Sequence, residues 1–367
     1  MDKARDTVRD RARDNGFGAL RLLLASTVII SHSFELLDGD PLREPLHLLY
    51  GGFTLGAAAV LGFFMISGYL IAASFAADPP SYFPKRVLRI YPGFIVCSLL
   101  CVFVVAPVGG AALGAMSVGD WLKLAANTLL LKAPAVPGAF DVLQVHALNG
   151  SMWTISYEFR CYILAAVFGF IGLYRRPWLF AVLTGLMLAA NLLFAVPQLA
   201  SVLQLPGPVG AVVGQPMHMV RLLSAFMTGT CFWLLKPKLG GRYAILAAVV
   251  LPAAMFVTAI QPIVLSLLGG YLLFWLAFEC EWSPLRRINA KDDISYGVYL
   301  YAFPITQLLI FFWRDIPAPV LILATFLLSL VCGSISWRFV EKPALGLKRR
   351  LGGALALRSR ERVTKPV

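Results

Sequence analysis

Apolar residues in this chain run in long blocks broken by short polar ones. Ten blocks approach the length of a membrane crossing, near 17–37, 51–77, 86–108, 153–174, 177–197, 216–235, 243–260, 262–280, 294–313 and 318–341. A helix needs about 20 mostly apolar residues to cross the hydrocarbon core. Within lipid its backbone groups must be satisfied internally, which a helix does. The pattern therefore predicts an all-α integral membrane protein, a bundle of about ten transmembrane helices. The division expected is an N-terminal tail over 1–16, one membrane domain over 17–341 and a basic C-terminal tail over 342–367. The apolar run that follows the N-terminal tail lacks a small-residue cleavage site, so a retained span is expected rather than a signal peptide. No soluble domain is expected beside the membrane domain. The longest extramembrane stretch, 109–152, contains an amphipathic piece from Asp120 to Lys132 with Trp121 near one edge. That composition predicts a helix lying in the membrane interface. Pro/Gly-rich loops over 133–148 and 198–215 could roof a site on the same side.

Charge changes the picture of partners and orientation. Hydrophobic residues make up 59% of the chain and charged ones 14%, yet 32 Lys and Arg against 19 Asp and Glu give a net charge of +13. Such an excess can signal nucleic acid, but its distribution here argues for a lipid bilayer and no nucleic acid. The basic residues gather in both tails and in alternate loops: Lys85 and Arg86, Arg175 and Arg176, Lys236 to Arg242, and Arg286 to Lys291. The opposite loops carry Arg43, Lys123, Lys132 and Arg314. By the positive-inside rule both termini are cytoplasmic, which requires an even number of spans. The six cysteines all fall inside apolar blocks, with no disulfide framework and no zinc spacing. No metal site is expected.

Several ionisable residues interrupt the apolar blocks, where they are costly and call for a reason. His32 lies about 22 Å beyond the inner end of the first span, and Glu35 follows on the same helix face. Glu158, early in the fourth span, is expected at a similar depth. A histidine and a carboxylate at one level suit a general base with an orienting partner. His218 and Arg221 open the sixth span on that side, and Arg160 follows Glu158. The inner half differs: Arg21 sits near the start of the first span, and Arg86 and Arg89 lie three apart in the third. Paired guanidiniums suit phosphate because each presents a planar fork of donors. Arg338 and Glu341, also three apart, are expected to form a structural ion pair, and His47 and His146 to be solvated. Intramembrane charges of this kind also fit a secondary transporter or flippase of a glycan or lipid-linked precursor. The lack of an internal repeat speaks against that alternative.

Six motifs in collinear order resemble the membrane-bound acyltransferase-3 family of bacterial O-acyltransferases, over about residues 16–345. They are Leu20-Arg21 with His32, Phe63-Phe64-Met65-Ile66-Ser67-Gly68, and Arg86-Val87-Leu88-Arg89. The others are Trp153-Thr154 through Glu158 to Tyr162, the stretch Asp293 to Pro304 with its Ser295-Tyr296, Tyr299-Leu300 and Pro304, and Glu341-Lys342-Pro343. One departure is Gly62, where the family often carries an acidic or polar residue. The resemblance implies transfer of an acyl group, usually acetyl, from cytoplasmic acyl-CoA to a hydroxyl of a sugar or exported glycan. It implies a bacterial cytoplasmic (inner) membrane location and no permanently bound cofactor, the acyl-CoA being a donor substrate. His32 would be the essential residue and general base, with Glu158 beside it. Arg86 and Arg89, with Arg21, would handle the donor. Arg160 or Arg221 could stabilise an oxyanion, with His218, Ser67 and Tyr296 as further substrate-side residues.

Overall fold

The computed structural model describes residues 15–205, 207–280, 282 and 286–347. The charged stretch Lys3–Asp14 and most of the basic C-terminal tail lie outside them. The described residues are helical with no strand among them. We number the main helices α1 Phe17–Asp38, α2 Leu55–Ala77, α3 Tyr82–Val108, α4 Val118–Leu129, α5 Trp153–Phe170, α6 Pro177–Ala195, α7 Pro216–Leu235, α8 Gly241–Ala254, α9 Thr258–Phe278, α10 Ser295–Phe312 and α11 Ala318–Leu347.

Eight of these are long and apolar enough to cross a membrane: α1, α2, α3, α6, α7, α9, α10 and α11. This is a multi-pass membrane architecture. Two expected spans fall short of that measure. Helix α5 has 18 residues but carries Glu158 and Arg160, and α8 has only 14. The expected division between the blocks 243–260 and 262–280 also moves. Gln261 is an interior residue of α9, whose side-chain amide donates to the carbonyls of Gly51 and Met255 at 2.8 Å each. The break between α8 and α9 comes earlier, over 255–257.

The core forms where small residues let helices approach. A Cβ on Gly68 of α2 would lie 1.8 Å from the Phe226 carbonyl oxygen of α7, and one on Gly229 would lie 1.9 Å from that of Met65. Gly297 and Gly333 allow the same closeness between α10 and α11. Helix α1 is wedged between α2 and α10. Leu24 packs over Gly62 on one side, and Ala25 and Ile29 meet Val298 and Ala302 on the other. Burial of α1 between two helices is what makes Arg21 and His32 informative, since both are largely covered by neighbouring helices.

The amphipathic piece does form a helix, α4, opened by a capping box between Ser117 and Asp120. It packs along the side of α3. Trp121 stacks on Phe103 of α3 with centroids 5.9 Å apart, and the Tyr91 hydroxyl donates to the Leu129 carbonyl at 2.9 Å. Those anchors lie about 18 Å apart along α3, so α4 runs down the side of that span. Val118, Leu122 and Leu129 are exposed on it, and Asp120, exposed Lys123 and Asn127 line an open cavity between α4 and the loop that follows.

Candidate active site

Helix α1 carries a polar group near each end. Arg21 and His32 are eleven residues apart, about 16 Å along the axis, and each belongs to a separate cluster.

At the Arg21 end, Asp293 is the hub. Its Oδ2 accepts from Arg21 Nη1 and Arg89 Nη2, both at 2.7 Å. Its Oδ1 accepts from the Asn289 amide at 3.1 Å and from the Ser295 hydroxyl. Burial pushes the Asp293 carboxyl pKa up, but Arg89 and Arg21 outweigh it and hold it below the usual carboxylate range. Asn289 also donates to the Gly18 carbonyl at 2.9 Å, which ties this loop to the start of α1. Arg89 reaches Glu341 of α11 at 3.6 Å and lies over the rings of Tyr296 and Trp337. Glu341 thus turns inward to Arg89 and Ser336, whereas Arg338 is exposed. The expected Arg338–Glu341 pair does not form, because a π-turn over Trp337–Glu341 alters which residues share a face.

Arg86 behaves differently from its neighbour. It makes no salt bridge to a carboxylate among the described residues. One nitrogen donates to Ser74 Oγ at 3.3 Å, and its buried Nε has no partner. The guanidinium lies over the rings of Tyr82 and Tyr162. Arg86, Lys85, Arg21 and Arg89 line a cavity of about 220 Å3 that reaches Ser67 and Tyr162, and no acidic side chain lines it. Lys85 is held at its mouth by Asp78.

A second cavity, of about 80 Å3, shares Arg21, Ser67, Arg89 and Tyr162 with the first. It continues past Glu158 and Tyr296 to Thr154 and Tyr299. Glu158 accepts from the Ser67 hydroxyl at 2.9 Å and from Tyr162 at 2.5 Å. Thr154, Glu158 and Tyr162 are spaced four apart, so α5 turns one stripe of oxygen-bearing side chains into the cavity. The Tyr296 hydroxyl donates to the Ile90 carbonyl at 2.9 Å and so braces α10 against α3. Above the cavity, Tyr299 donates to the Ser151 carbonyl at 2.7 Å and meets the ring of Phe63.

At the other end of α1, His32 Nδ1 lies 3.2 Å from Glu35 Oε2. An ionised carboxylate only accepts, so this bond places a proton on Nδ1 and leaves Nε2 as the basic nitrogen. The imidazole meets the edge of Phe303, centroids 5.3 Å apart. The partner carboxylate is therefore Glu35, not Glu158. Glu158 sits with Arg21 and Arg89, nearer the opposite end of α1 than its count from the start of α5 suggests. Gly150, just before α5, already lies level with Phe303, so the helix starts well inside the bundle.

Arg160 also departs from expectation. It lies on the other face of α5 from Glu158, over the Tyr157 ring and 3.2 Å from Ser156 Oγ. It does not line the Glu158 cavity. His218 packs on Trp153 at 4.7 Å and near Tyr157 at 6.0 Å, and Arg221 lies over Phe53 at 5.0 Å. These side chains make an aromatic and cationic cluster across α5 and α7, separate from the Asp293 hub.

A chain of cations leading into a cavity lined by hydroxyls and a carboxylate can bind a polyanionic molecule, and a histidine–carboxylate pair stands at the other end of α1. Residues 14–338 match the sequence profile of the acyltransferase-3 family, described as an acyltransferase domain. The chain belongs to that family. Over 338 residues it is 27% identical to an O-acetyl transferase of Shigella phage Sf6, spanning 90% of this chain and 96% of the relative. Over 369 residues it is 25% identical to nodulation protein 10 of Rhizobium leguminosarum bv. viciae, spanning 92% and 95%. No solved structure matches. The protein is an O-acyltransferase, which removes the transporter alternative. Two residues of these clusters have no role in the sequence reading. Asp293 opens the stretch that carries the Ser295-Tyr296 motif but has no role there. Glu35 was noted on the His32 face but given no role.

Proposed function

We propose that this acyltransferase moves an acyl group, acetyl in the first instance, from acyl-CoA to a hydroxyl of a sugar or exported glycan. The observation that carries the reading is the division of labour along α1, with clamped guanidiniums at one end and a histidine–carboxylate pair at the other. The cation-lined cavity suits the phosphates of CoA, with Arg86 offering an unpaired nitrogen and Arg21 and Arg89 held in place by Asp293. The adjoining cavity has Val60, Phe63, Phe64 and Ile155 beside Ser67, Glu158 and Thr154. That mixture suits a long arm that is apolar between its amide groups.

In the step we infer, the acceptor hydroxyl gives its proton to His32 Nε2 as its oxygen attacks the thioester carbonyl. Glu35 accepts from Nδ1 and stabilises the imidazolium that forms. The tetrahedral intermediate collapses, the carbon–sulfur bond breaks, and the thiolate leaves with the proton from His32. Atoms balance as acyl-CoA plus alcohol giving ester plus free CoA. Glu158, through Ser67 and Tyr162, shapes the donor channel instead of orienting the base. Arg221 and His218 serve the acceptor side. The Arg21 end faces the cytoplasm, where acyl-CoA is made, and the membrane is the bacterial inner membrane. The name of one relative, an O-acetyl transferase, fits transfer of acetyl to an oxygen.

The test is incorporation of label from tritiated acetyl-CoA into envelope glycan by membranes containing the protein. Alkali-labile label on saccharide supports the reading. Label confined to lipid or protein, or none with acetyl-CoA and longer acyl-CoA donors alike, overturns it.

A further inference from the structure

We propose that a third cavity, between α4 and the loop over 133–150, is a saccharide subsite that holds the acceptor glycan beside the reacting centre. This rests on the acyl-transfer reading above and adds where the acceptor binds. The cavity is about 410 Å3, the largest of the three described. It falls in the range of roughly 300–1,000 Å3 usual for small-molecule sites.

Its chemistry differs from that of the donor cavity. Helix α4 presents Asp120, Lys123 and Asn127 to it, at spacings of three and four that put them on one face. His146 faces them from the loop. The Lys123 ammonium, the Asn127 amide and the His146 imidazole make no hydrogen bond to any described residue. They offer donors and acceptors in a small space with one carboxylate and one ammonium nearly cancelling. A polyphosphate would find too little positive charge there, whereas a hydroxyl-rich, uncharged ring finds partners for several hydroxyls. Leu124, Pro134 and Leu148 supply apolar wall for the C–H face of such a ring.

The site is built, not incidental. Gln307 of α10 donates to the carbonyls of Val145 and Ala147 at 2.7 and 2.9 Å, and Arg314 donates to that of Val142 at 2.7 Å. Asn149, fully buried, donates to the Leu300 carbonyl at 2.8 Å and fixes the floor. The location is also apt. Gly150, in the floor, lies against Phe303 with no room for a Cβ, and the same ring meets His32 edge-on. Phe303 thus touches both the subsite floor and the imidazole of the proposed base, while His146 and Ala147 at the rim of the cavity are exposed.

Two measurements on the full chain in lipid nanodiscs test this. The first is steady-state transfer from tritiated acetyl-CoA to de-O-acylated envelope polysaccharide by Lys123→Ala and Asn127→Ala. Each loses a hydrogen bond to the acceptor, so the acceptor KM rises about three- to tenfold with the donor KM unchanged. An unchanged acceptor KM in both variants overturns the subsite. A general folding defect would instead lower kcat and leave both KM values alone. The second is alkylation of Ala147→Cys by a bulky maleimide, with the same polysaccharide present or absent. Protection by polysaccharide and not by CoA is expected, and no protection overturns the subsite. If wild type transfers no label, the acyl-transfer reading fails, and protection alone then decides whether the cavity holds saccharide.

Discussion

At the Arg21 end of α1, a carboxylate from the threshold of another helix grips two guanidiniums at once. At the His32 end, the carboxylate that meets the imidazole comes from the same helix, one turn on. The first arrangement ties three helices, α1, α3 and α10, through Asp293. The second leaves His32 Nε2 without a carboxylate partner among the described residues, and the imidazole meets an aromatic ring edge-on. A clamp across helices fixes position at the cost of charge, because Asp293 neutralises part of the field that Arg21 and Arg89 would present. A pair within one helix fixes the tautomer and leaves the reacting nitrogen unspent. On the proposed function, the contrast separates binding and proton transfer along one helix, so that each end should break without the other.

The largest effect is expected at the His32 end. His32→Ala should lower kcat by about 10²–10⁴, with the donor KM unchanged, read from initial rates of label transfer. A comparable loss in donor affinity would merge the two ends and break the comparison. Next comes Arg86→Ala, which removes the guanidinium that no carboxylate holds. A charge-assisted bond is worth about 1.5–3 kcal/mol, so the donor KM should rise about 10- to 100-fold while the acceptor KM holds. Arg86→Lys, which keeps the charge and loses the fork, should fall between them.

Asp293→Asn should raise the donor KM by about tenfold, since Arg21 and Arg89 lose their common anchor, an effect of about 1.4 kcal/mol. It also sharpens the comparison through pH. The folded Asp293 carboxyl is depressed by Arg89 and Arg21, which outweigh burial. Its contribution is fully present above the unfolded carboxylate pKa of about 3.9. It is lost as pH falls through the lower folded value. Thermal denaturation in detergent should show wild type more stable than Asp293→Asn at pH 6, with the difference shrinking below about pH 4. The smallest effect is expected at Arg160. It lies on the far face of α5 from Glu158, so Arg160→Ala should change the donor KM by less than about twofold, within the ±0.5 kcal/mol usual away from such sites.

Much of this was legible in the chain. Apolar blocks mark the spans, because length and hydropathy alone set which helices can cross lipid. The motif residues Arg21, Ser67, Glu158, Arg89 and Tyr296 do converge on one cavity. What the sequence could not supply was relative depth. Glu158 was set level with His32 by counting from the start of α5, but Gly150 and Trp153 begin that helix already inside the bundle. A pairing across helices depends on where each one starts, and residue counts do not fix that. Asp293 was missed for a related reason. It lies outside the apolar block, in a loop that reads as solvated until Asn289 and Gly18 fold it under α1. Arg160 shows the limit of adjacency: two residues from Glu158 in sequence is about 200° around the helix.

The most direct test measures equilibrium binding of tritiated CoA and single-turnover acetyl transfer on the same preparations of wild type, His32→Ala and Arg86→Ala. The account predicts that His32→Ala binds CoA as wild type does and transfers almost nothing, and that Arg86→Ala binds weakly but transfers once saturated. Transfer by His32→Ala at the wild-type rate, or loss of CoA binding in that variant, would contradict it.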